Sequence, residues 1–156
     1  MVTFCRVFQA RTICTKTRRF PSREVHAIAK RHGRSGAEGL EAVEFCAAHL
    51  AELTESAVNN LNDMAIPVAY DQLPNMMWEK IMPKVFGRPL EQFEIDNMET
   101  ISKSYSKGHL AKTGGAFKDD SEQKEKKASD EVRKAAKEFL TESFDQLAAF
   151  EPKLLK

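Results

Sequence analysis

Hydroxyl groups, lysines and glycines crowd one stretch in the second half of the chain, where they could bind a phosphate. The stretch is Ser102-Lys103-Ser104-Tyr105-Ser106-Lys107-Gly108, followed closely by Lys112, Gly114-Gly115 and Lys118. Lysines and hydroxyls donate strong hydrogen bonds to anions, and glycines let backbone N–H groups approach them. The spacing does not match the phosphate-loop pattern GxxxxGK[ST]. Lysines also complement the dipole at a helix C-terminus, so helix capping is the alternative interpretation.

A second polar loop, His32-Gly33-Arg34-Ser35-Gly36, offers another candidate anion site. Its backbone N–H groups could hold an anion beside the Arg34 side chain. Loops of this composition more often only connect two helices, and we favour a connector. His49 has no second ligand at helical spacing except carboxylates, and Cys46 falls on an apolar face. We therefore predict no metal site.

The composition is that of one ordinary globular domain, with 156 residues, 42% of them hydrophobic, and a net charge of +1. This charge favours neither nucleic acid nor a membrane as a partner. The three cysteines form no CxxC pair, which favours a reducing compartment over a disulfide framework. Apolar runs are too short for a membrane span and no secretory signal is present, so we expect an intracellular, cytoplasmic protein.

The charge is uneven, because residues 1–23 contain arginines and lysines but no acid. Residues 1–21 have the composition of an organelle transit peptide. Residues 2–8 are also rich in β-formers and fit a strand, while a poorly ordered start is the third interpretation. A nucleic-acid arm is a weaker hypothesis, since no basic fold follows it.

Residues 65–87, AIPVAYDQLPNMMWEKIMPKVFG, predict a strand, a turn and a helix. Ile66, Val68 and Tyr70 alternate with small residues, as in a short strand. Pro74 fits the first turn of the helix that follows. Pro83 predicts a kink or an early end near Ile81, and Gly87 is a suitable C-terminal cap.

Apolar spacing predicts helices at about 22–31, 37–63, 90–105 and 129–150 as well. Ser22 and Ser129 are expected to cap the first and the last of these. The fold class is therefore mostly α, with about five helices and one or two short strands. We divide the chain into a basic segment 1–21, a helical domain 22–150 and a frayed tail 151–156.

Several blocks of the sequence resemble one enzyme family. YDQLPNMMWEKIMPKVFG (residues 70–87) resembles the YxxLP…FG segment near the C-terminus of sulfotransferases that use 3′-phosphoadenosine 5′-phosphosulfate. EFCAAHLAEL (residues 44–53) is similar to the helix before that segment. Residues 104–140 are similar to the tail of a divergent bacterial and algal branch, so the resemblance covers residues 37–150.

The resemblance implies an α/β P-loop fold, of which this chain supplies the C-terminal part. It implies in-line transfer of a sulfuryl group to a hydroxyl or amine of a small-molecule acceptor. Tyr70 is then a structural residue at a strand end. The resemblance also implies that three residues of the polar stretch contact the 3′-phosphate of the nucleotide, namely Ser106, Lys107 and Gly108. Lys103 and Lys112 are weaker candidates for the same contact.

The chain departs from the family pattern in its first 36 residues. No Gly-rich, lysine-bearing loop follows a strand there. Arg19-Phe20-Pro21 is similar to the family's Arg-x-Pro element, but Ala27 stands where the expected serine would be. His26 and His32 lie in this poorly matching part, so the catalytic base is unassigned. We expect either a truncated sulfotransferase or a degenerate paralogue, and in both cases a polypeptide that does not catalyse transfer alone, because it lacks the phosphate-binding half.

The alternative function is a non-catalytic helical interaction module that docks to a protein partner through residues 65–87. Its strand would pair with a partner's sheet edge, and Met76, Met77 and Trp78 would form a docking patch. The same three side chains also suit an ordinary core, which we favour. Neither hypothesis includes nucleic acid, a membrane span or a metal.

Overall fold

The computed structural model describes residues 17–69, 72–103 and 125–153. Helices predominate in these ranges, which confirms the mostly α prediction in its coarse form. The chain divides into two compact units. Unit 1 comprises Met1–Asn62 and Ser121–Glu151, and unit 2 comprises Asp63–Asp120 and Pro152–Lys156. Unit 2 is thus largely an insertion in the sequence of unit 1.

The described helices follow in chain order as α1 (Arg23–Arg31), a 3₁₀ turn (Ala37–Gly39), α2 (Ala42–Asn59), a π-helical turn (Met77–Ile81), α3 (Met82–Phe86), α4 (Gln92–Ser102) and α5 (Asp130–Ala149). None of them combines the length and the hydropathy that crossing a bilayer requires.

Local sequence signals set both ends of α1. The Ser22 hydroxyl accepts a hydrogen bond from the Val25 N–H at 3.1 Å, as a helix N-cap does. Gly33 has φ +76°, a left-handed conformation that costs glycine little and stops the helix. Val25, Ile28 and Ala29 are buried, as their spacing predicts.

Helix α2 differs from its prediction in length and in its buried face. It starts after Glu41, because Ala37–Gly39 form a 3₁₀ turn and Leu40 is extended. Its buried side chains are largely small, namely Phe45, Cys46, Ala47, Ala48 and Ala51. The apolar spacing predicts a stripe that includes Phe45, Cys46 and Ala47, which are buried, but it also extends to Leu53 and Met64, which are 57% and 72% exposed. Alanines let a neighbouring helix approach closely, so packing selected the alanine face.

The core of unit 1 forms where α2 packs on α5 and α1 packs on α2. Ser129 caps α5 as predicted, since its hydroxyl accepts the Val132 N–H. The buried face of α5 is also close to its prediction, with Val132, Ala135, Ala136, Phe139 and Leu140 inside. A buried polar contact crosses the interface, where the hydroxyls of Thr54 and Ser143 lie 2.6 Å apart.

The strand prediction at 66–70 is wrong for the residues that the structure describes. Residues 65–69 are not paired with any other segment, and the described ranges contain no strand. A strand needs a hydrogen-bonded neighbour, and Pro67 has no N–H to offer one. Tyr70 and the candidate strand at 2–8 lie outside the described residues.

The break predicted at Pro83 is observed. Met77–Ile81 form a π-helical turn, and the regular helix α3 starts at Met82. Pro83 cannot donate to a carbonyl one turn earlier, while the Met82 N–H reaches back five residues to the Met77 carbonyl. Gly87 then ends α3 in the left-handed conformation, φ +67°.

Unit 2 has no buried side chain in its described ranges, 63–69, 72–103 and 152–153. The side chains of Met76, Met77 and Trp78 are half-buried. They are therefore less buried than a core requires and less exposed than a free docking patch would be. Large apolar side chains are exposed on both α3 and α4, including Val85 at 63%, Phe93 at 60% and Ile101 at 71%. This unit therefore buries little apolar surface among its own described residues.

Candidate functional site

The residues predicted to contact a nucleotide lie mostly outside the described ranges. Ser106, Lys107, Gly108 and Lys112 fall between residues 104 and 124, of which the structure gives no account. Lys103 is described and is the C-cap of α4, with its N–H directed to the Glu99 carbonyl at 3.3 Å. Its side chain is exposed, a position that fits both the capping interpretation and a ligand contact.

The densest group of charged side chains in the described part of the chain surrounds Arg34, in the loop after α1. The guanidinium bonds to the Glu44 carboxylate on α2 and to the Glu138 carboxylate on α5, the latter at 2.8 Å. It also donates to the backbone carbonyl of His32 and lies over the ring of Phe139, 5.6 Å from its centroid. Arg34 thereby ties the loop to both long helices.

The electrostatics of this cluster are those of a satisfied ion pair. The hydrogen bonds that Arg34 donates to the carboxylates of Glu44 and Glu138 raise the pKa of Arg34. The pKa of Glu44 is lowered, first by its bond from Arg34 and then by the Glu41 N–H, which donates to it at 3.0 Å. Two carboxylates already neutralise the guanidinium, so the loop is not an anion site. It is a connector, as we favoured.

The two histidines near this loop make structural contacts. The His32 ring packs on Phe139 with centroids 4.5 Å apart, and its Nδ1 lies 4.0 Å from a Glu138 oxygen. His26 Nδ1 accepts the Ala37 N–H at 3.1 Å. The His32 ring holds the loop after α1 in place, and the His26 ring holds the 3₁₀ turn. Neither ring is paired with a nucleophile, so the catalytic base stays unassigned.

The clefts of unit 1 are acidic. One of about 400 Å³ is lined by four glutamates and a lysine among other residues, including Glu41, Glu131 and Lys134. Another of about 300 Å³ is lined by Glu55, Glu138 and Glu142 beside Arg31 and His32. Such surroundings repel a nucleotide carrying several phosphates, so neither cleft suits the sulfuryl donor. Among the described residues no group of histidine, cysteine and carboxylate side chains could hold a metal ion.

Unit 2 contains one ion pair of ideal geometry, between Arg88 and Glu94. Both guanidinium nitrogens donate to the carboxylate, each at 2.8 Å. Glu94 also accepts the Glu91 N–H at 2.8 Å and so closes the first turn of α4. These bonds, with that from Arg88 the stronger, lower the pKa of Glu94 to about 2.

The same arrangement begins α2 and α4, and the sequence interpretation missed it in both places. In each, a Glu-x-x-Glu pair spans the helix start and the second carboxylate also holds an arginine from the preceding loop. The signal was present as Glu41-x-x-Glu44 and Glu91-x-x-Glu94. It resembles a capping box with glutamate in the place usually held by serine or threonine.

Comparison with known proteins identifies no relative. No protein-family model matches the chain, and no curated protein or solved structure is significantly similar to it.

Proposed function

We propose that this chain is a sulfotransferase-family polypeptide that supplies contacts to the 3′-phosphate of 3′-phosphoadenosine 5′-phosphosulfate. In the complete enzyme a sulfuryl group passes from this donor to a hydroxyl or amine. The chain by itself is inactive, because most of the rate enhancement comes from positioning and charge stabilisation at a phosphate-binding half.

The order and spacing of three sequence blocks carry this proposal. They are the blocks at 44–53, 70–87 and 104–140. The strand that the resemblance requires before the second block is absent from residues 65–69, but helices occur where it requires them, because α2 covers the first block, α3 ends at Phe86-Gly87 in the second, and α5 begins within the third. This agreement supports the proposal through local structure only, since a helix order is shared by many folds.

Within the proposal, Lys107 is the main ligand to the 3′-phosphate. A lysine bond to a phosphate oxygen is charge-assisted and contributes about 1.5–3 kcal/mol. Ser106 adds a hydroxyl donor and Gly108 a backbone N–H. Lys103, exposed at the end of α4, extends the positive charge toward the same stretch.

The first test reads the 5′ end of the transcript. The proposal expects in-frame sequence upstream that encodes a strand followed by a Gly-rich, lysine-bearing loop. If the transcript encodes no such segment upstream, the sulfotransferase proposal fails and the interaction module described below takes its place.

The second test measures binding of 3′-phosphoadenosine 5′-phosphate to the complete protein by titration calorimetry. Lys107→Ala should raise the Kd about tenfold or more, as expected from the loss of one charge-assisted bond. Lys84→Ala is the matched control, because Lys84 is an exposed lysine on α3 outside the polar stretch. Equal Kd values for Lys107→Ala and the unaltered protein would remove Lys107 from the site.

A second candidate function is the non-catalytic interaction module. The observation that favours it is the exposure of Val85, Phe93 and Ile101 in a unit whose described residues bury nothing. In this case residues 63–103 would bury their apolar side chains against a protein partner.

Foldedness separates the two candidates. A unit cut from a larger sheet should melt over a broad range, whereas a self-sufficient module should unfold cooperatively. Both should bind a hydrophobic dye, because both expose apolar side chains, so a broad melt is the result that would count against the module.

A further inference from the structure

Two exposed cations without an acidic partner in the described part of the chain lie on the outer face of α1, and a further exposed arginine lies in the turn before it. Arg23 and Lys30 lie two helical turns apart on the side opposite the buried Val25 and Ile28. Neither has an ion-pair partner among the described residues. Arg19 and Phe20 precede them, and we call these four residues the basic strip.

The charged side chains that border the strip comprise two arginines already engaged in other contacts and two exposed acids. Arg18 donates to the Leu40 carbonyl at 2.6 Å, and Arg31 pairs with Glu55. Glu38 lies 3.4 Å from His26. Glu24 is the exposed acid on α1 itself. The strip therefore keeps a net positive charge.

An exposed aromatic ring lies next to one of these cations. Phe20 is 80% exposed, the largest exposure among the large apolar side chains described. The Arg19 guanidinium lies over its ring, 5.7 Å from the centroid. A single exposed apolar side chain is common, but one in contact with a guanidinium and followed along the chain by exposed cations suits a surface that is both anionic and partly apolar.

We propose that the basic strip binds the surface of membranes containing anionic lipid. Each cation near such a surface strengthens binding about fivefold, and an aromatic side chain partitions into the headgroup region. The sequence upstream has the same mixed character, with apolar residues among bases and no acid, as in Phe4, Arg6, Phe8 and Arg11. Because the whole chain has a pI of only about 7.7, the attraction would come from the local strip and its exposed ring and not from a global positive field.

The test is co-sedimentation of the full chain with vesicles of phosphatidylcholine, with and without phosphatidylserine. The expected result is binding that requires phosphatidylserine and weakens as salt is raised. Arg19→Gln together with Arg23→Gln should weaken binding about thirtyfold, from two lost cations. Phe20→Ala should weaken it about tenfold without altering the circular dichroism spectrum, because the ring is exposed.

The matched control is Lys127→Gln together with Lys137→Gln, which removes two exposed cations beside and on α5. This variant should bind like the unaltered chain. Equal losses in the two double variants would overturn the proposal, because they would show attraction by charge anywhere on the surface. Binding to phosphatidylcholine alone would also overturn it, as would displacement from the vesicles by a single-stranded oligonucleotide with no effect of Phe20→Ala.

Discussion

Single arginine–glutamate contacts fix the starts of the helices in both units. Arg34, in the loop after α1, forms ion pairs with Glu44 on α2 and with Glu138 on α5. Arg88, in the loop before α4, forms an ion pair with Glu94 in the first turn of α4. In each case the glutamate also accepts a backbone N–H, so one carboxylate serves as cap and as ion-pair partner. The glutamates could be found in the sequence, whereas the arginines could not be assigned to them, because their contacts depend on loop geometry.

Replacing Arg34 should destabilise unit 1. Arg34→Ala leaves the half-buried carboxylates of Glu44 and Glu138 facing each other without a cation, a larger cost than that of losing a surface ion pair. Arg31→Ala is the control, because Arg31 pairs with Glu55 while 54% exposed. Thermal unfolding followed by circular dichroism should show a melting temperature several degrees lower for Arg34→Ala than for Arg31→Ala. Equal shifts would show that Arg34 is an ordinary surface charge.

The Arg88–Glu94 pair should make the start of α4 sensitive to acid. Because the pKa of Glu94 is lowered from 4.5 to about 2, the pair contributes its full stability above pH 4.5 and loses it as the pH falls toward 2. Carboxyl carbon signals in NMR should show Glu94 titrating near 2 in the unaltered chain. In Arg88→Ala the titration should move toward the ordinary value. A Glu94 titration near 4.5 in the unaltered chain would contradict the pair.

At the scale of elements, prediction from sequence worked where the signal is local. Ser22, Gly87 and Ser129 each set a helix end through their own conformation or side chain, and all were placed correctly. On the buried face of α2, Phe45, Cys46 and Ala47 were placed correctly, whereas Ala48 and Ala51 were missed, because small alanines carry little hydrophobic signal and only packing against α5 reveals them. The strand at 66–70 was mispredicted, because alternation signals an apolar face but cannot supply a pairing partner.

The cap of α5 offers a direct test of an element. Ser129→Ala should lower the free energy of unfolding by about 1 kcal/mol, since the Val132 N–H loses its acceptor. Urea denaturation gives this value from a shift in midpoint at constant slope. Ser129→Asp is the matched variant that keeps an acceptor, and it should retain most of the stability. A neutral Ser129→Ala would mean that the Val132 N–H is satisfied by water.

At the scale of the whole molecule, the chain contains a packed unit and an inserted unit whose described residues include no buried side chain. Unit 1 places its core between α1, α2 and α5. Unit 2 comes from residues 63–120 and 152–156. The sequence indicated a helical chain but not this division, because the apolar stripes of α3 and α4 look like those of buried helices. The difference lies in how exposed the apolar side chains of α3 and α4 are, and that exposure depends on which other parts of the chain pack against them.

Hydrogen exchange should separate the two units. Amides of α2 and α5 should be strongly protected, because they open only when the core of unit 1 unfolds. Amides of α3 and α4 should exchange orders of magnitude faster, because few apolar contacts hold them. Mass spectrometry of peptic fragments resolves these segments, and 22–31 serves as an internal reference in unit 1. Equal protection in α4 and α5 would show that unit 2 has a core of its own.

The nucleotide contact is the central claim, and an NMR titration tests it most directly. Addition of 3′-phosphoadenosine 5′-phosphate to the ¹⁵N-labelled chain should shift the backbone signals of residues 103–112, and adenosine 5′-phosphate, which lacks the 3′-phosphate, should leave those of Ser106, Lys107 and Gly108 unchanged. Lys107→Ala should abolish the difference between the two nucleotides. Identical shifts with both nucleotides, or shifts confined to unit 1, would contradict the proposed 3′-phosphate site.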